Sequence, residues 1–271
     1  MKICMSAEQL SPRRTFLCGQ CFRWTENSDS FTGIAYGRQI LVREQDGIVT
    51  IDGVPDDEER LWRQYFDLDT DYSDYITRLS ADPTLALACR ASSGIHILRQ
   101  EPFETLLSFI ISQNNNIPRI SGIVGRLCET FGDAIEDSAQ PCFSFPSARR
   151  LDGIEEGDLV PLRAGFRARY IVDAVRRINS GEVDFSEIDA LPLDKARERL
   201  KTIVGVGDKV ADCVLLFAFH KLDAFPKDVW VKRIMAQYYP DGLPKCTLGI
   251  EGVAQQYLFD YIRNKTAILN N

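Results

Sequence analysis

The sequence predicts an α+β protein in which a small N-terminal antiparallel β domain packs on a mainly α-helical body. Three observations carry this. Between residues 22 and 52 apolar and polar residues alternate in short runs separated by turn formers; after Pro55 the apolar spacing lengthens to three and four; and Pro83, Pro102, Pro118, Pro146, Pro161 and Pro192 punctuate the remainder. The division is expected near residue 90, with residues 1–90 forming the sheet domain and its flanking helices and 91–271 the helical domain. A chain of 271 residues, 45% of them hydrophobic, can bury a substantial core.

Taken in order, the strands are expected at 30–36, 39–43 and 48–51, with turns at Gly37 and Asp46-Gly47, as an antiparallel meander. Leu61, Trp62, Tyr65 and Phe66 then form the stripe of a first long-period helix. Residues 103–111 read as an apolar helix. The run Asn114-Asn115-Asn116 and Pro118 mark its stop and the restart of the next. Residues 137–156 are the least regular stretch and are expected to form a long surface connection.

The most informative segment is a hairpin at about 194–220. Pro192 suits a first helical position, and Leu193, Ala196, Leu200 and Ile203 share one face of a helix. Val204-Gly205-Val206-Gly207 follows, where the chain is expected to turn with positive φ at both glycines and no side chain over the amides. A second helix should begin near Asp208, with Val210, Val214, Leu215 and Ala218 facing inward. Bare amides and the positive end of a helix dipole converge there, and phosphate is the natural guest.

Lys209 lies in the first turn of that second helix, where the dipole opposes a positive charge. Asp228 follows in Pro226-Lys227-Asp228, and it also suits the N-cap of a helix over 229–239. An amine and a carboxylate at the mouth of a phosphate-binding hairpin suggest an enzyme that breaks the bond between a base and its sugar in DNA. Without these two residues the hairpin would read as a non-catalytic DNA clamp.

Bulk properties narrow the class without naming it. No apolar run approaches the roughly 18–20 residues of a membrane span, and Met1-Lys2-Ile3-Cys4-Met5-Ser6 lacks the apolar stretch of a secretory signal, so a cytoplasmic protein is expected. Eight cysteines lack framework spacing and are expected to be free thiols. Cys18-Gly19-Gln20-Cys21 has no second pair nearby, so packing cysteines are expected and no metal site. Net charge is −7, but residues through Arg90 hold 10 basic and 15 acidic groups against 22 and 24 in the remainder. The positive groups Arg163, Arg167, Arg169, Arg176, Arg177, Lys195, Arg197, Arg199 and Lys201 are expected to supply part of a DNA-facing surface.

The hairpin run Gly205-Val206-Gly207-Asp208-Lys209-Val210-Ala211-Asp212-Cys213, with Pro226 and Asp228, resembles the helix-hairpin-helix (HhH-GPD) DNA glycosylase superfamily, within it the 8-oxoguanine DNA glycosylase/AP lyases. Four further blocks extend the resemblance over most of the chain: Gly19-Gln20-Cys21-Phe22-Arg23-Trp24, Ser112-Gln113-Asn114-Asn115-Asn116-Ile117-Pro118-Arg119-Ile120, Gly165-Phe166-Arg167-Ala168-Arg169-Tyr170 and Ala254-Gln255-Gln256-Tyr257-Leu258-Phe259. The resemblance implies that Lys209 is the nucleophile and Asp228 stabilises charge at C1′. It implies a lesion pocket of Gly19, Cys213, Phe217, Gln255 and Phe259. Cys213 and Phe259 would sandwich the base, Gln255 would hydrogen-bond its edge, and the carbonyl of Gly19 would accept from N7–H, a donor that 8-oxoguanine has and guanine lacks.

It further implies that Asn114, Asn115, Arg119, Phe166, Arg167, Gly205, Gly207 and Trp230 meet the opposite base or the DNA backbone, with Arg119 favouring cytosine. Two positions depart from the pattern: Phe166 stands where better-known members carry a wedging tyrosine, and Trp230 replaces a histidine two residues after the aspartate. The four closely spaced cysteines that hold an iron–sulfur cluster in endonuclease III-like relatives are missing, so no cofactor is expected beyond a monovalent cation at the hairpin. The expected partner is double-stranded DNA containing oxidised guanine, met by a monomer. Two other readings stay open: a hairpin glycosylase for another damaged base, against which Lys209 argues, and a non-catalytic DNA-binding module, against which Asp228 argues.

Overall fold

The computed structural model describes residues 2–136 and 141–269. Its N-terminal part is one five-stranded antiparallel sheet, β1 (Lys2–Ser6), β2 (Trp24–Glu26), β3 (Ser30–Ala35), β4 (Arg38–Gln45) and β5 (Ile48–Asp52), in the order β1-β5-β4-β3-β2. The three expected strands form its centre; β1 and β2 are additional edges. Tyr36-Gly37 and Asp46-Gly47 each place two consecutive residues at positive φ, as two-residue hairpin turns require. Alternation then sends Phe31, Ile40, Val42, Val49 and Ile51 to one core. At the β2 edge Gly33 is obligatory, because a Cβ there would lie 2.2 Å from the Trp24 indole.

The helices are α1 (Pro12–Leu17), α2 (Glu59–Tyr65), α3 (Tyr72–Leu79), α4 (Pro83–Ala91), α5 (Pro102–Ile111), α6 (Ile117–Phe131), α7 (Ala168–Asn179), α8 (Phe185–Ala190), α9 (Leu193–Leu200), α10 (Asp208–Phe217), α11 (Val229–Tyr238) and α12 (Glu251–Leu269). Prolines open α1, α4, α5 and α6, where a missing N–H costs nothing. Pro192 caps α9 instead of occupying its first turn, since its ψ of 152° is extended. Within the expected long connection, residues 137–140 lie outside the described residues. The rest is anchored by an Ala134–Phe143 bridge and by buried Leu151.

Two cores divide the chain. Phe16, Trp24, Trp62, Tyr65 and Phe66 join the sheet side chains in one, with the Phe16 and Trp24 rings stacked at 3.9 Å. The other contains α5 and α10, together with Leu79 of α3 and Leu85, Ala88 and Cys89 of α4. By packing, α3 and α4 thus sit with the helical body, although they precede residue 90. Arg23, just before β2, pairs with Glu104 of α5 at 3.3 Å, and Arg99 pairs with buried Asp67 at 2.7 Å. Gln20 lies in the same seam: its amide donates to the His96 carbonyl and accepts from Leu98 N–H. The seam holds the Gly19 turn against the helical body.

Candidate active site

The hairpin is α9, a tight loop, and α10. Arg197 Nε donates to Asp212 Oδ1 at 2.6 Å and ties the two helices together. In the loop, Gly205 has φ +85°, and a Cβ there would lie 2.4 Å from the ring of Tyr170 on α7. Only hydrogen fits. Gly207 differs from expectation: at φ −104° and ψ −176° it is extended, because it is the N-cap of α10. Nothing lies within 4 Å of where its Cβ would be, so no side chain covers that corner of the α10 N-terminus.

From α10, Lys209 reaches inward. Its Nζ donates to Ser112 Oγ at the end of α5 (3.2 Å) and sits 4.9 Å from the centroid of Phe109. Cys213 lies one turn further along; burial pushes its thiol up to about 11, with the Lys209 ammonium pulling the other way. Phe217, another turn on, stacks with Phe109 at 5.5 Å. Asp228 caps α11, its Oδ1 accepting from Val231 N–H at 2.7 Å.

These groups converge. One cavity of about 50 Å³ is lined by Lys209 and Asp228 together with Gly19, Cys213, Phe217, Gln255 and Phe259. Gly19 has φ +86°, and a Cβ on it would sit 3.9 Å from Phe259, so the turn presents bare backbone toward that ring. At roughly 10–15 Å³ per water the cavity, open to solvent on one side, holds a few waters. Four further wall residues are not assigned to the pocket from the sequence: Phe109, and Cys18, Pro226 and Gln256, which appear there only in a cysteine pair or in the motif runs. Phe109 reads as an ordinary position of an apolar helix, and Ser112 appears only as the first residue of the asparagine block, with no role assigned to it.

The other sequence-selected residues lie outside this cavity, and several of them are linked around the asparagine turn. Arg167 is 2% exposed, and its guanidinium donates to the carbonyls of Gln113 (2.8 Å), Asn114 (2.8 Å) and Ala164 (3.1 Å). Burial pushes its pKa down, and nearby Arg119 adds to this. Arg167 therefore braces the asparagine turn, in which Asn114 sits at φ +47° and is exposed. Asn115 donates to the Ile111 carbonyl and Asn116 caps α6, leaving Arg119 exposed in its first turn.

Phe166, 49% exposed, has Arg167 over its ring at 4.4 Å and meets Tyr170 edge-on at 5.9 Å. A continuous path thus runs from Lys209 through Ser112, the asparagine turn, Arg167 and Phe166 to Tyr170 under Gly205. Trp230 is half-buried in the first turn of α11, with Arg233 at 5.3 Å from its ring. The expected positive face is mostly neutralised: Arg176, Arg177, Arg197, Arg199 and Lys201 are held in ion pairs with carboxylates. Composition cannot reveal such pairing. Among the described residues no cluster of three or more His, Cys, Asp or Glu could hold a metal, and no helix is long and apolar enough to cross a membrane.

Comparison with known proteins gives concordant matches. Residues 2–106 match the model of the 8-oxoguanine DNA glycosylase N-terminal domain, and residues 107–242 that of the HhH-GPD superfamily base excision DNA repair proteins. A probable N-glycosylase/DNA lyase of Methanothermobacter thermautotrophicus is 33% identical over 74% of this chain and 72% of its own length. The N-glycosylase/DNA lyase of Saccharomyces cerevisiae is 32% identical over 88% of this chain and 70% of its own. Among solved structures, the Clostridium acetobutylicum 8-oxoguanine glycosylase/lyase, bound to double-stranded DNA with cytosine opposite 8-oxoguanine, superposes with a TM-score of 0.89 at 37% identity, covering 95% of this chain and 93% of that one.

Proposed function

Because this chain belongs to the 8-oxoguanine DNA glycosylase family of the HhH-GPD base excision repair proteins, we propose that its cavity is the lesion pocket and Lys209 its nucleophile. The protein is a DNA N-glycosylase with AP lyase activity that acts on 8-oxoguanine in duplex DNA. The observation that carries the site assignment is the convergence of Lys209 and Asp228 on one cavity with Gly19, Cys213, Gln255 and Phe259.

The target carbon is hidden in duplex DNA, so the nucleotide must first be extruded, at roughly a few kcal/mol. Exposed Phe166 fills the gap in the stack, while the bare α10 N-terminus takes a backbone phosphate. As the bond from C1′ to the base lengthens, the carbon gains positive character, which the Asp228 carboxylate stabilises. The Lys209 amine, in its neutral form, bonds to C1′ as the base leaves with the bonding electrons and takes up the proton that the nitrogen sheds. Opening of the sugar ring gives an imine; loss of a C2′ proton then expels the 3′ phosphate by β-elimination. The chemistry needs no cofactor, and one copy of the chain supplies every group named.

Arg119 and the Arg167-braced asparagine turn read the base left behind, with Arg119 favouring cytosine. The test is single-turnover release of 8-oxoguanine placed opposite each of the four bases. Wild type is expected to be fastest opposite cytosine, and Arg119→Ala to lose most of that preference. Equal rates opposite all four bases for both proteins would remove the assignment.

A further inference from the structure

Gln255 does not enter the cavity alone. Its Oε1 accepts from Gln256 Nε2 at 2.7 Å, and Gln256 Oε1 in turn accepts from the Cys18 thiol at 3.1 Å. All three side chains are at least 96% buried and all three line the cavity. We propose that Cys18 and Gln256 are positioning residues that lock the amide of Gln255 in one orientation, and so make the pocket select purines with a 6-keto group and N1–H over those with a 6-amino group.

The inference rests on the lesion-pocket reading above and follows from donor and acceptor order. A guanine-type edge presents an acceptor at position 6 beside a donor at N1; an adenine-type edge presents a donor beside an acceptor. A lone glutamine amide fits either, because a half-turn exchanges its oxygen and nitrogen. With Oε1 committed to Gln256, the half-turn is blocked and Gln255 keeps one reading frame: Nε2 to donate and one lone pair of Oε1 to accept.

The direction of the relay is set at its far end. Gln20 Nε2 lies 3.4 Å from Cys18 Sγ, but its two protons go to the Thr15 carbonyl at 2.9 Å and the His96 carbonyl at 2.8 Å, so at this end the thiol acts as donor rather than acceptor. The thiol's proton has two acceptors, Gln256 Oε1 at 3.1 Å and the Thr15 carbonyl at 3.3 Å, and the latter already accepts from Gln20 at 2.9 Å. Sulfur is a weak acceptor, so a Gln256 turned with its nitrogen toward Cys18 would exchange a served donor for a poorly served one. Burial pushes the Cys18 thiol up to about 12, which keeps it protonated and donating. Gly19, whose carbonyl is assigned to the other edge of the lesion, is the next residue, so the same turn holds both readers.

The test is single-turnover base release at pH 8 from duplexes carrying 8-oxoguanine or 8-oxoadenine opposite cytosine, read as the ratio of the two rates within each protein. Gln256→Ala frees the amide, and the ratio should fall at least about fivefold, the low end of what a bidentate base-edge pair discriminates. Gln256→Glu offers only acceptors, draws Gln255 Nε2 toward itself and should push the ratio further toward 8-oxoadenine than Ala does. Cys18→Ala removes the donor that orients Gln256, should lower the ratio in the same direction, and decides the matter if the Gln256 variants do not fold. Ratios within about twofold of wild type, or a Glu variant no further shifted than Ala, would overturn the proposal. Wild type that releases no 8-oxoguanine would instead overturn the lesion-pocket reading beneath it.

Discussion

At Asp228 the observed helix cap and the proposed charge beside the reacting carbon would share one carboxylate, and a single substitution separates them. Asparagine caps as well as aspartate, so Asp228→Asn should change folding stability by less than about 0.5 kcal/mol in urea titration. Removing the charge should slow base release by about 100-fold or more. A variant that cuts at the wild-type rate would assign Asp228 to capping alone, and a loss of stability well above about 0.5 kcal/mol would contradict the equal capping of the two residues. Lys209 and Asp228 were legible because the hairpin and the proline before Asp228 lie within twenty residues of one another. Gln256, Cys18 and Ser112 were not, since their importance lies in contacts spanning 238 and 97 positions of sequence. Arg167 was expected to contact DNA; the structure buries it as a brace on the asparagine turn, a role that was not legible because its acceptors are backbone carbonyls that no side-chain pattern records.

At the scale of the hairpin, the two glycines that look alike in sequence do different work. Gly205 combines left-handed backbone with contact against Tyr170. Gly205→Ala should therefore cost at least about 2 kcal/mol, from φ strain alone of about 1–2 plus ring overlap. Gly207→Ala, at an extended N-cap with open space beside it, should cost under about 1 kcal/mol while still crowding the proposed phosphate site. Urea midpoints and duplex affinity measured on both variants would show stability lost in the first and binding lost preferentially in the second; equal stabilities would contradict the geometry. The central strands were readable from alternation and turn dipeptides. β1 and β2 were not, because a run as short as Trp24–Glu26 has no period to detect and Lys2–Ser6 is a strand only through pairing with β5, over forty residues away.

The whole molecule depends on the seam between sheet and helices, where Arg23 meets Glu104. Burial raises the Glu104 carboxyl from 4.5 to about 7, against the pull of Arg23 and helped by Glu101. The folded state thus holds this proton more tightly than the unfolded chain, so stability should fall as pH rises from about 4.5 to 7 and level off above. The full span is up to about 3 kcal/mol, less what the 14% exposure of the side chain lets water screen. Glu104→Gln should flatten that slope in urea titrations at pH 5 and pH 8; an unchanged slope would place its origin elsewhere. The same seam carries Gly19 to the cavity facing Lys209, so the catalytic claim is a claim about the assembled molecule. It is tested most directly by borohydride reduction during turnover on a duplex with one 8-oxoguanine opposite cytosine, followed by mapping of the trapped peptide. A covalent DNA adduct on Lys209, abolished by Lys209→Gln, is the predicted result; an adduct that survives that substitution, or maps to another residue, would contradict it.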